Sequence, residues 1–158
     1  LTQGPKVEEF ENDLRSYCGS KHARVVTNAT SALHLAYVAI GLKKDDIVWT
    51  SPNTFVSTAN AALYCGAKVE FVDIDPKTYN ISIEALKAKL KIAEAVGQLP
   101  KLIVPVHFAG QSCEMKEIWN LSKVYGFKVI EDASHALGAE YKEKKVGSCD
   151  YSLSLIHI

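Results

Sequence analysis

The sequence predicts an α/β domain built on a mostly parallel sheet, with helices on both faces of that sheet. Short apolar runs rich in β-branched residues alternate with longer segments of helical periodicity, and glycine-bearing turns separate them. With 158 residues, 47% of them hydrophobic and 23% charged, the chain has the length and composition of one globular domain with its own core.

The first half of the chain predicts two strand–helix pairs. Residues 23–28 (ARVVTN) carry two adjacent valines and predict a short buried strand, and the apolar-rich residues 31–40 predict a helix that ends at Gly41. Residues 46–50 (DIVWT) predict the next strand. Residues 55–64 predict a second helix, which again ends close to a glycine.

The second half continues the alternation. Residues 68–73 (KVEFVD) predict a strand, followed by a helix over residues 82–96 that its first residue, a serine, caps. Residues 101–107 (KLIVPVH) predict another strand, residues 113–125 a helix, and residues 128–131 (KVIE) a further strand. No repeat or linker interrupts the pattern, which therefore predicts one layered α/β unit.

Charge and cysteine content exclude several classes of partner. Eighteen acidic and eighteen basic residues give a net charge of zero, which argues against a nucleic-acid or anionic-membrane surface. No apolar run approaches the roughly 18 residues that cross a bilayer. Cys18, Cys65, Cys113 and Cys149 form no CxxC pair, so we expect reduced thiols in a cytoplasmic protein and no metal site.

Polar clusters follow all five predicted strands. Ligands of parallel sheets bind outside the carboxyl ends of the strands, so chemistry is expected in these clusters. In chain order they are residues 28–31 (NATS), 51–55 (SPNTF), 73–75 (DID), 107–111 (HFAGQ) and 131–135 (EDASH).

The first cluster leads directly into a helix with a hydroxyl-rich first turn. Free backbone N–H groups and the helix dipole favour a phosphate there, and the hydroxyls of Thr30 and Ser31 would add donors. A simple N-cap by Asn28 or Thr30 explains the same residues. No Walker lysine is present, which argues against a nucleoside triphosphate.

The last cluster is the sharper signal for a cofactor. Asp132 ends an apolar strand, where a carboxylate can pair with a protonated pyridine nitrogen of pyridoxal phosphate. His135, three residues later, could orient Asp132 or contact the cofactor. The alternative is an aspartate that caps the next turn, with His135 a solvated loop residue.

The middle clusters are less specific. Phe55 could stack on a planar cofactor or begin the core of the following helix. Asp73 and Asp75 look like paired carboxylates, but the Asp-Pro-Lys-Thr segment is simpler to interpret as a turn. His107 and Gln111 could form polar walls of a site.

The order and spacing of these motifs resemble the DegT/DnrJ/EryC1/StrS family of sugar aminotransferases. The resemblance runs from the first residues to about residue 152. It includes residues 27–34 (TNATSALH), 52–61 (PNTFVSTANA), 107–111 (HFAGQ) and 131–138 (EDASHALG). It implies the large domain of the aspartate-aminotransferase type, fold type I of the pyridoxal-phosphate-dependent transferases, present here as an incomplete domain over residues 1–152.

By this resemblance, pyridoxal 5′-phosphate is the cofactor and six residues bind it. Thr30 and Ser31 would hold its phosphate, Phe55 would stack on its ring, and Asp132 would pair with its nitrogen. His135 would lie beside the ring, with Gln111 a weaker candidate at the wall.

The resemblance also implies substrates and partners. Residues 147–152 match the branch of the family that aminates a UDP-4-keto-6-deoxy-N-acetylhexosamine toward pseudaminic acid, with L-glutamate as amino donor. Family members are homodimers whose sites the neighbouring subunit completes, and no nucleic acid or membrane is involved.

The catalytic lysine of the family has no counterpart in this sequence. The family carries it in a Ser-Phe-His-x-x-Lys segment shortly after residue 152, whereas Lys142, Lys144 and Lys145 belong to a charged, hairpin-like stretch. Residues 153–158 (LSLIHI) fit no family pattern and equal the translation of CTGTCTCTTATACACATC, a transposase adapter of sequencing libraries. We therefore expect a fragment with no catalytic residue of its own and an adapter-derived tail.

Two other functions stay open on the sequence. A sugar 3-dehydratase of the same family keeps the cofactor and replaces the lysine with histidine. A non-catalytic α/β ligand-binding module is the alternative from another class, although the first strand-to-helix turn lacks the GxGxxG of a dinucleotide site.

Overall fold

The computed structural model describes residues 4–148 and the backbone of residues 153–155. The helices are α1 (Pro5–Cys18), α2 (Ala29–Ala39), α3 (Ser57–Tyr64), α4 (Ile83–Ala95) and α5 (Met115–Tyr125). The strands are β1 (Ile47–Thr50), β2 (Lys68–Phe71), β3 (Leu102–Val104), β4 (Lys128–Asp132), β5 (Glu140–Tyr141), β6 (Lys144–Lys145) and β7 (Leu153–Leu155). None of the helices in these ranges combines the length and apolar character that crossing a lipid bilayer requires.

The main sheet is parallel throughout, as predicted. Its order is β2-β1-β3-β4-β7, and every neighbouring pair runs in the same direction. A helix connects each of the first three strands to the next along the chain, which is the arrangement that parallel strands require. The carboxyl ends of the strands therefore lie along one edge.

Alternating residues of the strands build two separate cores, one on each face of the sheet. Val48, Val104 and Ile130 pack with α2 and α3 on one face. Trp49 and Ile103, the neighbours of those residues in sequence, pack with α4 and α5 on the other. Because side chains alternate across a strand, adjacent apolar residues fill both cores, and the near-continuous apolar strands of the sequence are explained.

The strand predicted over residues 23–28 is wrong. That segment has no strand, and its N–H groups have no neighbouring strand to bond among the described residues. A side chain takes that role, since Glu11 of α1 accepts the Val25 N–H at 3.0 Å and the Arg24 guanidinium at 2.6 Å. Helix α1, which the sequence reasoning left unassigned, thus holds this segment in place of a β ladder.

The remaining predicted helices and strands are confirmed; β1, β2 and β3 are shorter than predicted, and β4 is one residue longer. The strand expected over residues 101–107 has regular pairing only from Leu102 to Val104, because Pro105 has no N–H to donate to a ladder. One isolated bridge, between Val106 and Asp132, continues the contact with β4. The charged hairpin is also present, as the antiparallel pair β5 and β6. The backbone of β7 pairs with β4 inside the predicted tail, and the adapter origin of that tail stays a prediction.

One lysine links the segments at the amino-terminal ends of the strands. Lys101 Nζ donates to the Gly41 carbonyl at 2.6 Å and to Asp46 Oδ2 at 2.7 Å. Partial burial works against ionisation of Asp46, but the hydrogen bonds from Lys101 and from the Lys43 N–H outweigh it and lower the pKa of Asp46. The contact joins the loop after α2, the start of β1 and the start of β3.

The opposite edge is crowded where the loops after β3 and β4 meet. Residues Phe108–Gly110 form one 3-10 turn, and Gly110 has a φ of +85°. A Cβ on Gly110 would stand 3.0 Å from the carbonyl oxygen of His135. Only glycine combines this backbone conformation with so close an approach, so the two loops are in direct backbone contact.

We expect Gly110→Ala to lower the free energy of unfolding by about 2 kcal/mol, from left-handed backbone strain plus displacement of the His135 carbonyl. Gly97→Ala is the matched control, since Gly97 has a φ of +68° but no atom within 4 Å of an added Cβ. Urea unfolding of both variants measures the difference. Equal losses of unfolding free energy in the two variants would show that the close contact with the His135 carbonyl does not contribute to the cost of Gly110→Ala.

Candidate active site

A cavity of about 420 Å³ opens at the carboxyl-terminal edge of the sheet. The segment before α2, the loop after β1, the loop after β3 and the end of β4 all contribute to its wall. Four of the six residues predicted to bind a cofactor line it, namely Thr30, Phe55, Asp132 and His135. The fold therefore brings together residues that are up to 105 positions apart in sequence.

Asp132 is buried at the base of the cavity, with 5% of its surface exposed. Its Oδ2 accepts the Thr58 hydroxyl at 2.7 Å, and its Oδ1 accepts the hydroxyl and the N–H of Ser134 at 2.6 and 3.2 Å. Three hydrogen-bond donors converge on this one carboxyl group and fix its position. The structure thus supplies a fixed carboxylate facing the cavity.

The donor to Oδ2 belongs to a short chain of hydroxyl groups. Thr54 and Thr58 lie 2.8 Å apart, and because Thr58 gives its only hydroxyl proton to Asp132, Thr54 must donate to Thr58. The buried Tyr37 hydroxyl donates to the Thr58 carbonyl at 2.9 Å. Burial, with a smaller contribution from the negative charge of Asp132, raises the pKa of Tyr37 and keeps it a neutral donor.

The amino-terminal turn of α2 forms another wall. Asn28 is its N-cap, with Oδ1 accepting the Ser31 N–H at 2.8 Å, so the cap inferred from sequence is present. Asn28, Ala29 and Thr30 all line the cavity. The cap occupies one N–H and leaves those of Ala29 and Thr30 without a protein acceptor among the described residues, at the positive end of the helix dipole.

Phe55 and His135 lie at the mouth of the cavity. The Phe55 side chain is 73% exposed, which argues against its alternative interpretation as a core residue of α3. His135 is exposed, and its carbonyl is the group that Gly110 approaches.

Ser31 and Gln111 do not line the cavity. Ser31 lies in the first turn of α2 with its N–H held by the cap. Gln111 is exposed, and its backbone carbonyl accepts Asn80 Nδ2 at 3.0 Å. Their roles toward a cofactor stay predictions.

A buried histidine–glutamate pair supports the cavity. The Cys113 N–H donates to His107 Nδ1 at 3.1 Å, so that nitrogen carries no proton and Nε2 must be the one that donates to Glu131 Oε2 at 2.9 Å. The backbone N–H of His107 also donates to the backbone carbonyl of Asp132 at 3.0 Å. His107 thereby ties the loop after β3 to the strand that carries Asp132, a role its sequence position alone did not indicate.

Sequence reasoning missed Thr58, Ser134 and Asn80. Thr54 lies in the loop before α3 and Thr58 in its first turn, so their contact depends on how that loop enters the helix, which local sequence does not encode. Ser134 stands two residues after Asp132, the spacing of a carboxylate-capped turn. Asn80 is buried and bonds the Phe108 N–H and the Gln111 carbonyl, contacts between loops that local sequence does not encode.

The residues present fit pyridoxal phosphate. The cofactor needs an anion site, a flat apolar surface and a carboxylate for its ring nitrogen. Here the free N–H groups of α2, the exposed Phe55 ring and the anchored Asp132 carboxylate line one cavity.

Relatives of known name match almost all of this chain. The UDP-4-amino-4,6-dideoxy-N-acetyl-beta-L-altrosamine transaminase of Campylobacter jejuni (serotype O:23/36, strain 81-176) is 54% identical over 159 residues, which cover 99% of this chain and 41% of the relative. The putative pyridoxal phosphate-dependent aminotransferase EpsN of Bacillus subtilis is 43% identical over 145 residues, which cover 92% and 37%. The chain thus spans about two-fifths of the length of the relatives it matches.

A solved structure agrees with the fold. PseC of Helicobacter pylori, an aminotransferase involved in the biosynthesis of pseudoaminic acid, superposes with a TM-score of 0.82 at 37% identity, covering 92% of this chain and 38% of PseC. This confirms the predicted fold type I, and the relatives confirm the enzyme class and the cofactor class at the level of the family.

The family model for these aminotransferases matches residues 1–155, a range that includes all six predicted site residues. A match over this length, together with relatives above 30% identity, settles the membership. The chain belongs to the DegT/DnrJ/EryC1/StrS aminotransferase family.

Proposed function

We propose that this chain is the cofactor-binding part of an enzyme that transfers an amino group from L-glutamate to a UDP-linked 4-keto-6-deoxy-N-acetylhexosamine. The observation that carries the proposal is the Asp132 carboxylate, buried in a cavity and held by Thr58 and Ser134. When bound, pyridoxal phosphate supplies the electron sink that transamination needs.

Asp132 would hold a proton on the ring nitrogen of the cofactor. Three protein donors hold the carboxyl group in place, and its oxygens would accept the charged N–H of the cofactor ring. Thr58 and Ser134 are positioning residues in this scheme, since they act through Asp132.

The remaining predicted site residues would bind and orient the cofactor. Thr30 and the free N–H groups of α2 would take the phosphate, with Ser31 beside them, and Phe55 would cover one face of the ring. His135 and Gln111 would lie at the edge of the site.

The sugar class is inferred from relatives. The transaminase from C. jejuni is named for a UDP-linked 4-amino-4,6-dideoxy sugar, and PseC is named for pseudoaminic acid biosynthesis. The product would serve a surface polysaccharide or a flagellin glycan. The three described cysteines are free thiols, which fits a cytoplasmic enzyme.

We further propose that the complete enzyme is a homodimer that uses the face of α2 and α3. Leu35, Val38, Leu63 and Tyr64 on these helices are each more than half exposed, and so is Phe55 at the mouth of the cavity. An exposed apolar surface next to a site marks an interaction surface, and a second copy would bury it.

The catalytic lysine is proposed to follow residue 152 in the source gene, within Ser-Phe-His-x-x-Lys. A lysine is the group that holds the cofactor covalently and moves protons in this class of enzyme. A histidine at that position would instead indicate the 3-dehydratase.

In the complete enzyme, we expect Asp132→Ala to lower the transamination rate by orders of magnitude and to weaken cofactor binding, because the ring nitrogen loses its anionic partner. Asp75→Ala is the control for cofactor binding, since Asp75 caps a turn through the N–H groups of Lys77 and Thr78 and does not line the cavity. Steady-state rates and cofactor titration by absorbance measure both. Similar losses in the two variants would contradict the assignment of Asp132.

We expect Thr58→Val to weaken cofactor affinity, because a hydrogen bond to a charged group contributes about 1.5–3 kcal/mol. Thr58→Ser keeps the hydroxyl and should restore the affinity. A melting temperature that falls in Thr58→Val while the cofactor dissociation constant stays at the parent value would identify Thr58 as purely structural.

We expect the purified 158-residue chain to show no turnover of the UDP-4-keto sugar with glutamate, since it lacks the proposed lysine. The complete enzyme, expressed from the source gene, is the positive control. Turnover by the short chain above a no-enzyme blank would contradict the fragment proposal.

A further inference from the structure

The loop after β2 carries an aromatic residue in a backbone conformation that tyrosine rarely adopts. Tyr79 has a φ of +61°, in the left-handed region. Its N–H donates to the Asp75 carbonyl at 2.8 Å, and Asp75 Oδ1 holds the N–H groups of Lys77 and Thr78. Tyr79 therefore closes a tight turn at the position where glycine or asparagine is the usual choice.

The Tyr79 side chain does not offset this strain through burial. It is 53% exposed, so most of its ring contributes nothing to the core. A strained residue with an exposed apolar side chain is an expected feature of a binding site, where the strain is retained for function.

Contacts from Tyr79 lead directly to the cavity. Its ring lies 6.0 Å from that of Phe108, centroid to centroid, at an interplanar angle of 46°. Asn53 Nδ2 donates to the Tyr79 carbonyl at 3.4 Å, and both Phe108 and Asn53 line the cavity. We call Tyr79 and Phe108 the aromatic pair.

The aromatic pair is held in position by Asn80. The buried Asn80 side chain accepts the Phe108 N–H at 2.9 Å and donates to the Gln111 carbonyl at 3.0 Å. The turn that contains Tyr79 and the turn that contains Phe108 are thereby one unit, so the two rings keep a fixed relation at the rim.

We infer that the aromatic pair is a stacking surface for the planar base of the nucleotide-linked substrate, an inference that rests on the proposed function. Thr30, Phe55 and Asp132, which are proposed to hold the cofactor, line the cavity, and Phe108 of the aromatic pair lines it beside them, where the nucleotide of the substrate would extend. A base has an apolar π-face, and exposed aromatic rings bind such faces with little dependence on base identity.

The test uses the complete enzyme loaded with pyridoxal phosphate and titrated with UDP by calorimetry. We expect Tyr79→Gly to weaken UDP binding at least about fivefold, the loss typical of one base–aromatic contact. Because glycine is at ease at a φ of +61°, the same variant should keep or raise the melting temperature. Tyr79→Phe should bind UDP like the parent.

Each other outcome overturns the inference. A parent-like UDP dissociation constant in Tyr79→Gly would mean that the ring contacts no base. A fall in melting temperature and in cofactor affinity would mean that Tyr79 supports the fold. Phe71→Ala, which removes a half-exposed ring from the edge strand, must leave UDP binding unchanged, and an equal loss there would make the effect nonspecific.

The same titrations separate this inference from the proposed function. A parent enzyme that binds both pyridoxal phosphate and UDP, with Tyr79→Gly binding UDP like the parent, overturns the base contact alone. A parent enzyme that binds pyridoxal phosphate but no UDP overturns the UDP-linked substrate of the proposed function as well. A parent enzyme that binds no pyridoxal phosphate overturns the proposed function, and the base contact with it.

Discussion

A carboxylate can be buried only where donors replace the water it loses, and the site is organised around that requirement at Asp132. Thr58 and Ser134 supply those donors from opposite sides, one from α3 and one from the loop after β4. To place Thr58 there, α3 must pack against the sheet on the same face as α2, and Tyr37 fixes the helix through the Thr58 carbonyl. The packing of α2 and α3 against the sheet and the hydrogen bonding of the buried Asp132 carboxyl group therefore depend on each other.

Strand periodicity explains why the sequence predicted most of this fold. Adjacent apolar residues such as Val48 and Trp49 indicate a strand covered on both faces, and both residues are buried in separate cores. The same logic failed at Val25 and Val26, where an equally apolar run bonds to Glu11 instead of a strand. A local pattern states that a segment can pair, but the available partner decides whether it does.

The residues of the candidate site also fall into two groups, those that local sequence predicts and those that depend on distant partners. The positions of Asp132 and Thr30 in the cavity were predictable because strand ends and helix starts can be recognised in sequence. Asn80 and the His107–Glu131 pair were not, because their partners lie 24 to 31 residues away and depend on how loops meet. Residues that line the cavity at strand ends and helix starts were easier to predict than the residues whose contacts join its loops.

The Lys101 contacts at the amino-terminal ends of the strands have a consequence for sequence variation in the loops at the other end of the sheet. Lys101 joins the loop after α2, the start of β1 and the start of β3, at the end of the sheet that faces away from the cavity. The register of β1 and β3 is therefore held independently of the loops that line the cavity. Loops at the other end can exchange residues, lengthen or take up new contacts while the strand alignment persists. The Lys101 contacts at one end of the sheet therefore keep β1 and β3 aligned when loops at the cavity end change in length or sequence.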